Sequence, residues 1–298
     1  MQRDDLDAYW GGVDEELARF PMAAEREWVP LRSTEYARFY QVRLTGIGPY
    51  RLFGYYTVPV GEGPFPAIFH TPRYGSVNNP PHADDRARYC VFTLMHRGQR
   101  LADQPFAAMY PGLLTLGITS PATYIYRAIV ADCLRGLEFL RAQPEVDTNR
   151  ISAVGDDLAL LVAARRPQVA VVQAGGLMFH RLTEARARTE AYPLEEVNEY
   201  VRYTPDDADA VADTLAYFDP QQHHAAAITA RTLLTVGAAG AVGGPEWLAP
   251  LTDALAGPVT HYPLTHEGQV DHDWTDAWMA DALGSVPKPR MWEAAKGD

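Results

Sequence analysis

The stretch NRISAVGDDLALLVAARRP, residues 149–167, decides the fold. Its apolar run at 151–154 is typical of a strand buried on both faces of a parallel sheet. Gly155 then provides a tight turn, and an Ala- and Leu-rich helix follows to Arg165. A nucleophile elbow is built in this way, with the nucleophile at the apex between strand and helix. Such a turn normally carries serine at the apex, but this sequence has Asp157.

The rest of the chain repeats the alternation of short apolar runs and amphipathic helices. This pattern predicts βαβ units and a doubly wound, mainly parallel sheet, the α/β class. Before it, two β-rich runs around a Gly- and Pro-containing turn predict an antiparallel hairpin. The predicted strands outside the elbow are 37–44, 50–58, 66–70, 89–95, 169–173, 232–236 and 259–262, and the predicted helices are 5–20, 124–142, 246–255 and 274–283.

The length of 298 residues and the even alternation predict one domain over residues 1–285. A charged, Tyr-rich helical segment at about 181–225 interrupts the alternation. An insertion of this kind over the carboxyl ends of strands commonly shapes a ligand pocket. Residues 286–298 are predicted to form a loosely held tail.

The net charge of −12 argues against nucleic-acid and anionic-membrane partners, which need basic patches. Only two cysteines, Cys90 and Cys133, occur, and their spacing fits neither a disulfide framework nor a metal site. The acidic N-terminus lacks the apolar run of a secretory signal, and no stretch reaches the roughly 18 apolar residues of a membrane span. These features predict a cytoplasmic protein without cofactor.

Several segments, in the right order, resemble the acetyl xylan esterases and cephalosporin C deacetylases of carbohydrate esterase family seven. The segments are HRGQR at 96–100, TYIYRAIVADCLRGLEFLRAQPEVDTNRI at 123–151, TLAYFDPQQHHAAAITARTLLTVG at 214–237 and YPLTHEG at 262–268. The resemblance implies an α/β-hydrolase fold with a β-rich N-terminal extension and a helical insertion. It also implies a homo-oligomer and a small-molecule ligand.

The family uses a Ser-His-Asp triad, in which serine attacks the acetyl carbonyl and aspartate orients the histidine. By resemblance, Asp157 stands at the nucleophile position and Gly240 at the position of the acid, so only His266 of the triad is retained. The oxyanion donors would be Tyr74 and the backbone N–H of Leu158. Two of three triad members are therefore replaced, which predicts a degenerate esterase or binding protein without ordinary deacetylase activity.

Two alternatives keep catalysis. In the first, Asp157 serves as nucleophile or base with His266 and acts on an ester, epoxide or halide, as in hydrolases with an aspartate at the elbow. In the second, the chain remains a residual carboxylic-ester hydrolase of small acetylated compounds. Asp157 also has a plain structural interpretation, because a carboxylate at a helix start gains from the helix dipole and can cap the helix.

No metal site is predicted. Asp271, His272 and Asp273 are adjacent in sequence, and three such neighbours cannot all converge on one ion, so a solvated loop or helix cap is the expectation there.

Overall fold

The computed structural model describes residues 3–222 and 224–288. Its strands form one twisted sheet with the spatial order β1-β2-β3-β5-β4-β6-β7-β8-β9. The first three neighbouring pairs are antiparallel, and the remaining five are parallel. The strands are β1 Glu25–Trp28, β2 Ala37–Thr45, β3 Arg51–Pro59, β4 Phe65–His70, β5 Cys90–Met95, β6 Val146–Gly155, β7 Val171–Ala174, β8 Arg231–Val236 and β9 Val259–Pro263.

Helices cover both faces of the sheet. The α-helices are α1 Arg3–Ala18, α2 Ala83–Arg86, α3 Ile125–Arg141, α4 Asp157–Arg165, α5 Leu182–Ala185, α6 Leu194–Tyr203, α7 Ala208–Ala216, α8 Pro245–Ala254 and α9 Gly268–Ala282. On one face, α1, α3 and α4 pack into the main core. On the other face, Trp278 and Met279 of α9 pack on Val91 and Leu233. This confirms the predicted α/β class with a mainly parallel, doubly wound sheet.

Two details differ from the predicted elements. Strand β1, Glu25–Trp28, was not predicted, because it lies at the sheet edge with three of its four residues exposed and so lacks an alternating pattern. Helix α9 begins at Gly268 rather than near Trp274, and its first three residues, Gly268–Val270, are exposed. Helices α5, α6 and α7 lie between β7 and β8, in the segment predicted as a helical insertion.

The tail predicted over 286–298 lies outside the described residues from position 289 onward. Within 3–222 and 224–288, the structure has no helix that is long and apolar enough to cross a membrane.

Candidate functional site

The turn between β6 and α4 lies at the carboxyl ends of the parallel strands. Gly155 is required there, because a Cβ at this position would overlap the hydroxyl oxygen of Thr71, which follows β4. Ala159 is fully buried where α4 crosses the sheet. Asp156, with φ −109° and ψ −145°, is the N-cap residue of α4, so the helix begins at Asp157. The local sequence thus forms a close strand–helix turn with two consecutive carboxylates at its apex.

A cavity of about 720 Å³ opens beside this turn, over the ends of β6, β7 and β8. Asp156 forms part of its wall, and Tyr192 of the segment between β7 and β8 contributes an aromatic face. Its other polar or aromatic side chains are Arg73, Tyr74, Gln173, Thr235, Asp271, His272 and Thr275. This position, at the carboxyl ends of strands, is where open α/β sheets bind ligands.

Asp157 does not form part of the described wall of the cavity. Its side chain is fully buried, and each carboxylate oxygen accepts a backbone hydrogen bond: Oδ2 from the N–H of Met178 at 2.5 Å, and Oδ1 from the N–H of His180 at 3.0 Å. These two donors belong to the loop after β7. Asp157 therefore ties that loop to the start of α4.

Asp156 is the carboxylate that borders the cavity. Its Oδ1 accepts the backbone N–H of Leu158 at 3.0 Å, as an N-cap residue does. Burial raises the pKa of Asp156, and the adjacent Asp157 carboxylate raises it further. Burial also raises the pKa of Asp157, while hydrogen bonds from the loop after β7 oppose that shift. Like charges held this close favour retention of a proton by the pair.

The two predicted oxyanion donors differ in whether they are already hydrogen-bonded. The Leu158 N–H is occupied by Asp156. Tyr74 lines the cavity, its ring packs edge-on against Tyr110 at 5.0 Å between centroids, and its buried hydroxyl has no hydrogen-bond partner among the described residues.

His266 lies on the exposed loop between β9 and α9, with a left-handed backbone φ of +63°. Its backbone N–H donates to Asp271 Oδ2 at 3.1 Å, but its ring makes no hydrogen bond or ion pair with the chain over 3–222 and 224–288. Gly240 is exposed at φ +77°, and its N–H donates to Glu246 Oε2 at 3.3 Å. The roles predicted for Asp157, His266, Tyr74 and Leu158 stay predictions.

The segment HRGQR does not line the cavity but supports the loop of Arg73 and Tyr74, which does. Buried Gln99 accepts hydrogen bonds from Asn78 and from the N–H of His96, and donates to the carbonyls of Arg73 and Gly75. It thereby fixes the loop that carries Tyr74. Arg97 binds the fully buried carboxylate of Asp132 on α3 through Nε at 2.9 Å and Nη2 at 2.7 Å. Arg100, the last residue of this segment, is exposed.

Sequence reasoning missed several residues of the cavity wall, among them Arg73, Gln173 and Thr235. The signal for Gln173 and Thr235 was their place near the ends of predicted parallel strands. Asp156 was not singled out beside Asp157, and Tyr192 lies in the Tyr-rich insertion but was not named as a candidate. Of the tyrosines of the insertion, Tyr203 is 87% exposed and does not border the cavity described here.

Comparisons with known proteins agree with this architecture. A family model described as acetyl xylan esterase (AXE1) matches residues 1–251. The chain is similar to a solved acetyl xylan esterase from Paenibacillus sp. R4, at 25% identity and a TM-score of 0.80, with 95% of each chain covered. It is also similar in fold to acetyl xylan esterase 1 from Thermoanaerobacterium sp. JW/SL YS485, at 20% identity and a TM-score of 0.76, with 93% of each chain covered.

A more distant likeness extends to prolyl endopeptidases, at 14% identity and a TM-score of 0.64, covering 87% of this chain and 39% of the longer one. That likeness is one of fold. The match of the family model over most of the sequence is decisive: the chain belongs to the acetyl xylan esterase family.

Proposed function

We propose that this protein is a member of the acetyl xylan esterase family that binds a small carbohydrate-like ligand and lacks serine-type deacetylase activity. The observation that carries the proposal is the environment of Asp157. Both of its oxygens accept backbone N–H groups, and its side chain is fully buried. A group that replaces the nucleophile and serves as a loop anchor cannot attack a carbonyl.

Two further features support the loss of acyl transfer. The donor expected to stabilise an oxyanion, the Leu158 N–H, is bound to the Asp156 carboxylate, and a developing oxyanion would be repelled there. The acid position is Gly240, which has no side chain to orient a histidine. Because the members of a triad act as a unit, loss of serine and acid together leaves little catalysis.

The cavity supports a binding role. Its volume of about 720 Å³ lies within the usual range for small-molecule sites, and its wall combines tyrosine faces with amide, hydroxyl and carboxyl groups. Flat aromatic faces beside hydrogen-bonding groups suit a polyhydroxylated ligand. The named relatives are acetyl xylan esterases, so we propose short acetylated xylo-oligosaccharides as the ligand class.

The binding test uses acetylated xylotriose, with calorimetry for affinity. Gln173→Ala and Tyr192→Ala should each weaken binding about tenfold, because each removes a contact in the cavity wall. Tyr203→Ala is the matched control, since Tyr203 lies on the same insertion but away from the cavity, and it should bind like the wild type. Equal affinity in all four proteins would contradict the cavity as the site.

The activity test uses p-nitrophenyl acetate and the same oligosaccharide. The wild type should release acetate no faster than His266→Ala and Asp157→Ala do. Turnover by the wild type that disappears in both variants would overturn the proposal and favour a working Asp157–His266 pair.

A second candidate function assigns the chemistry to Asp156 instead. This carboxyl borders the cavity and has a raised pKa, and both properties suit a general base that activates water near neutral pH. Such hydrolysis would increase as pH rises through about 7 and would be lost in Asp156→Asn. A single turnover in water labelled with heavy oxygen separates the two mechanisms. Asp157 would acquire the oxygen label if it acted as a nucleophile, whereas Asp156 acting as a general base would not.

A further inference from the structure

A second cluster of polar side chains lies beside the cavity, where the loop after β4 meets α9. His82 is the N-cap residue of the short helix α2, Asp84 is inside that helix, and His272 is in the first turns of α9. One nitrogen or oxygen donor atom from each of these residues lies within 4.8 Å of the others. The fold thus brings together two imidazoles and a carboxylate that are far apart in the sequence.

The two histidines are arranged so that a ligand atom is available. The rings of His82 and His272 lie 5.5 Å apart between centroids and nearly perpendicular to each other. The Nε2 atom of His272 is buried and has no hydrogen-bond partner in residues 3–222 and 224–288. A buried ring nitrogen without a partner costs free energy, which a bound ion would recover.

The charges around the cluster favour a cation. Asp84 is 3.8 Å from Lys288 Nζ, which also pairs with Asp273 at 2.9 Å. Asp85 and Asp276 share Arg88. These two groups of ion pairs bring four carboxylates onto two cationic side chains next to the cluster.

We propose that His82, Asp84 and His272 bind a divalent transition-metal ion of the zinc type. Imidazole nitrogen is a good ligand for zinc, copper, iron and nickel and a poor one for magnesium or calcium, which take oxygen ligands. Three protein ligands are the number found in zinc sites that keep a position open for water.

The ion requires a small local adjustment. Bonds of about 2.1 Å in tetrahedral geometry place donor atoms about 3.4 Å apart, so the exposed side chains must approach His272 by roughly 1 Å. The His82 and Asp84 side chains are 61% and 43% exposed, so little packing opposes their movement, although His82 Nδ1 would have to give up its weak contact with the Asp84 N–H if that atom binds the ion. On binding, Asp84 would leave Lys288, which keeps Asp273 as its partner.

A bound ion would link the walls of two neighbouring cavities. His272 borders the central cavity, and His82 borders a neighbouring cavity of about 450 Å³ that shares Arg73 and Tyr74 with it. The ion would cross-link the α2 region to α9 at the boundary between these cavities. It would thereby stabilise the native state without taking part in acyl transfer.

The test measures binding of Zn²⁺ and Co²⁺ alone to tag-free protein, by calorimetry and by the visible absorption of bound Co²⁺. We expect one ion per chain and a midpoint of thermal unfolding that rises with Zn²⁺ concentration. His272→Gln and Asp84→Asn should each weaken binding tenfold or more. Lys288→Gln should strengthen it, because the competing ammonium group is removed.

The matched control is His261→Gln, which changes an exposed histidine of β9 that is hydrogen-bonded to Thr252 of α8. It should bind Zn²⁺ like the wild type. If His272→Gln folds poorly, the Zn²⁺ affinity of Asp84→Asn tests the proposal instead, because Asp84 is exposed and its replacement leaves the core intact. No binding to the wild type at millimolar Zn²⁺, or equal binding in Asp84→Asn, would overturn the proposal.

Discussion

The backbone N–H of Leu158 donates to the carboxylate of Asp156, its second neighbour in the chain, at 3.0 Å. In the serine enzymes of this fold, the N–H of the residue after the nucleophile stabilises the oxyanion. Here the Leu158 N–H is instead used to cap helix α4, because it donates to the Asp156 carboxylate. Under the proposed function, the replacement of serine is thus accompanied by a second change at the same turn, one that acts on the transition state rather than on the nucleophile.

Restoring serine and acid alone should therefore be insufficient. We expect Asp157→Ser with Gly240→Asp to show at most weak hydrolysis of p-nitrophenyl acetate, because Asp156 still occupies the Leu158 N–H. Adding Asp156→Gly should raise the rate at least tenfold, since one oxyanion-hole donor is worth about 100- to 1000-fold. Equal rates in the double and triple variants would show that this hydrogen bond does not limit the reaction.

Asp157 is expected to contribute to stability. Asp157→Ala leaves the N–H groups of Met178 and His180 without an acceptor, and should lower the free energy of unfolding by about 3 kcal/mol. Asp157→Asn retains one acceptor and should fall between this variant and the wild type. Urea unfolding followed by tryptophan fluorescence gives these values. Asp213→Ala, which changes an exposed aspartate of α7, is the control and should have little effect.

The Asp156 carboxyl should make stability depend on pH. Its pKa is raised in the folded protein to about 7, so over the range from about 4 to 7 the folded chain holds a proton that the unfolded chain has released. Stability from this group therefore decreases as pH rises through that window. Asp156→Asn, which can still cap α4, should be more stable than the wild type at pH 8 and similar to it at pH 4. Thermal unfolding at both pH values checks this, and a variant that loses stability equally at both would contradict it.

The Arg97–Asp132 ion pair offers a test of the cavity's supporting wall. Arg97→Met leaves the fully buried Asp132 without its bidentate partner and should cost about 3–5 kcal/mol of unfolding free energy. Arg97→Met with Asp132→Leu should recover much of that loss, because no buried charge remains. Chemical denaturation of both variants measures the difference, and additive losses in the double variant would argue against a direct coupling of the pair.

Most of the sheet could be predicted because its strands are buried on both faces, as the run at 151–154 illustrates. Edge strand β1 could not be, since an exposed edge imposes no apolar pattern on the sequence. The start of α9 was missed for a similar reason, because Gly268–Val270 are exposed and form no apolar stripe.

The site was harder to predict than the sheet. The order of residues identified the turn at Gly155 but could not show which of two adjacent carboxylates borders the cavity. That depends on where α4 begins, and a shift of one residue turns a side chain by about 100° around a helix. The contact of His272 with His82 was equally hidden, because it depends on how α9 packs against a distant loop.

Gln99 gives the fold a further property. A single amide bonds three groups of the loop around Tyr74, from Arg73, Gly75 and Asn78, and also the N–H of His96, and none of those bonds involves a residue of the triad positions. The wall of the cavity that carries Tyr74 is therefore held without any residue of the triad positions, whereas Asp157 holds the loop after β7. A substitution at a triad position can therefore alter the chemistry of the turn while the Tyr74 wall keeps its shape.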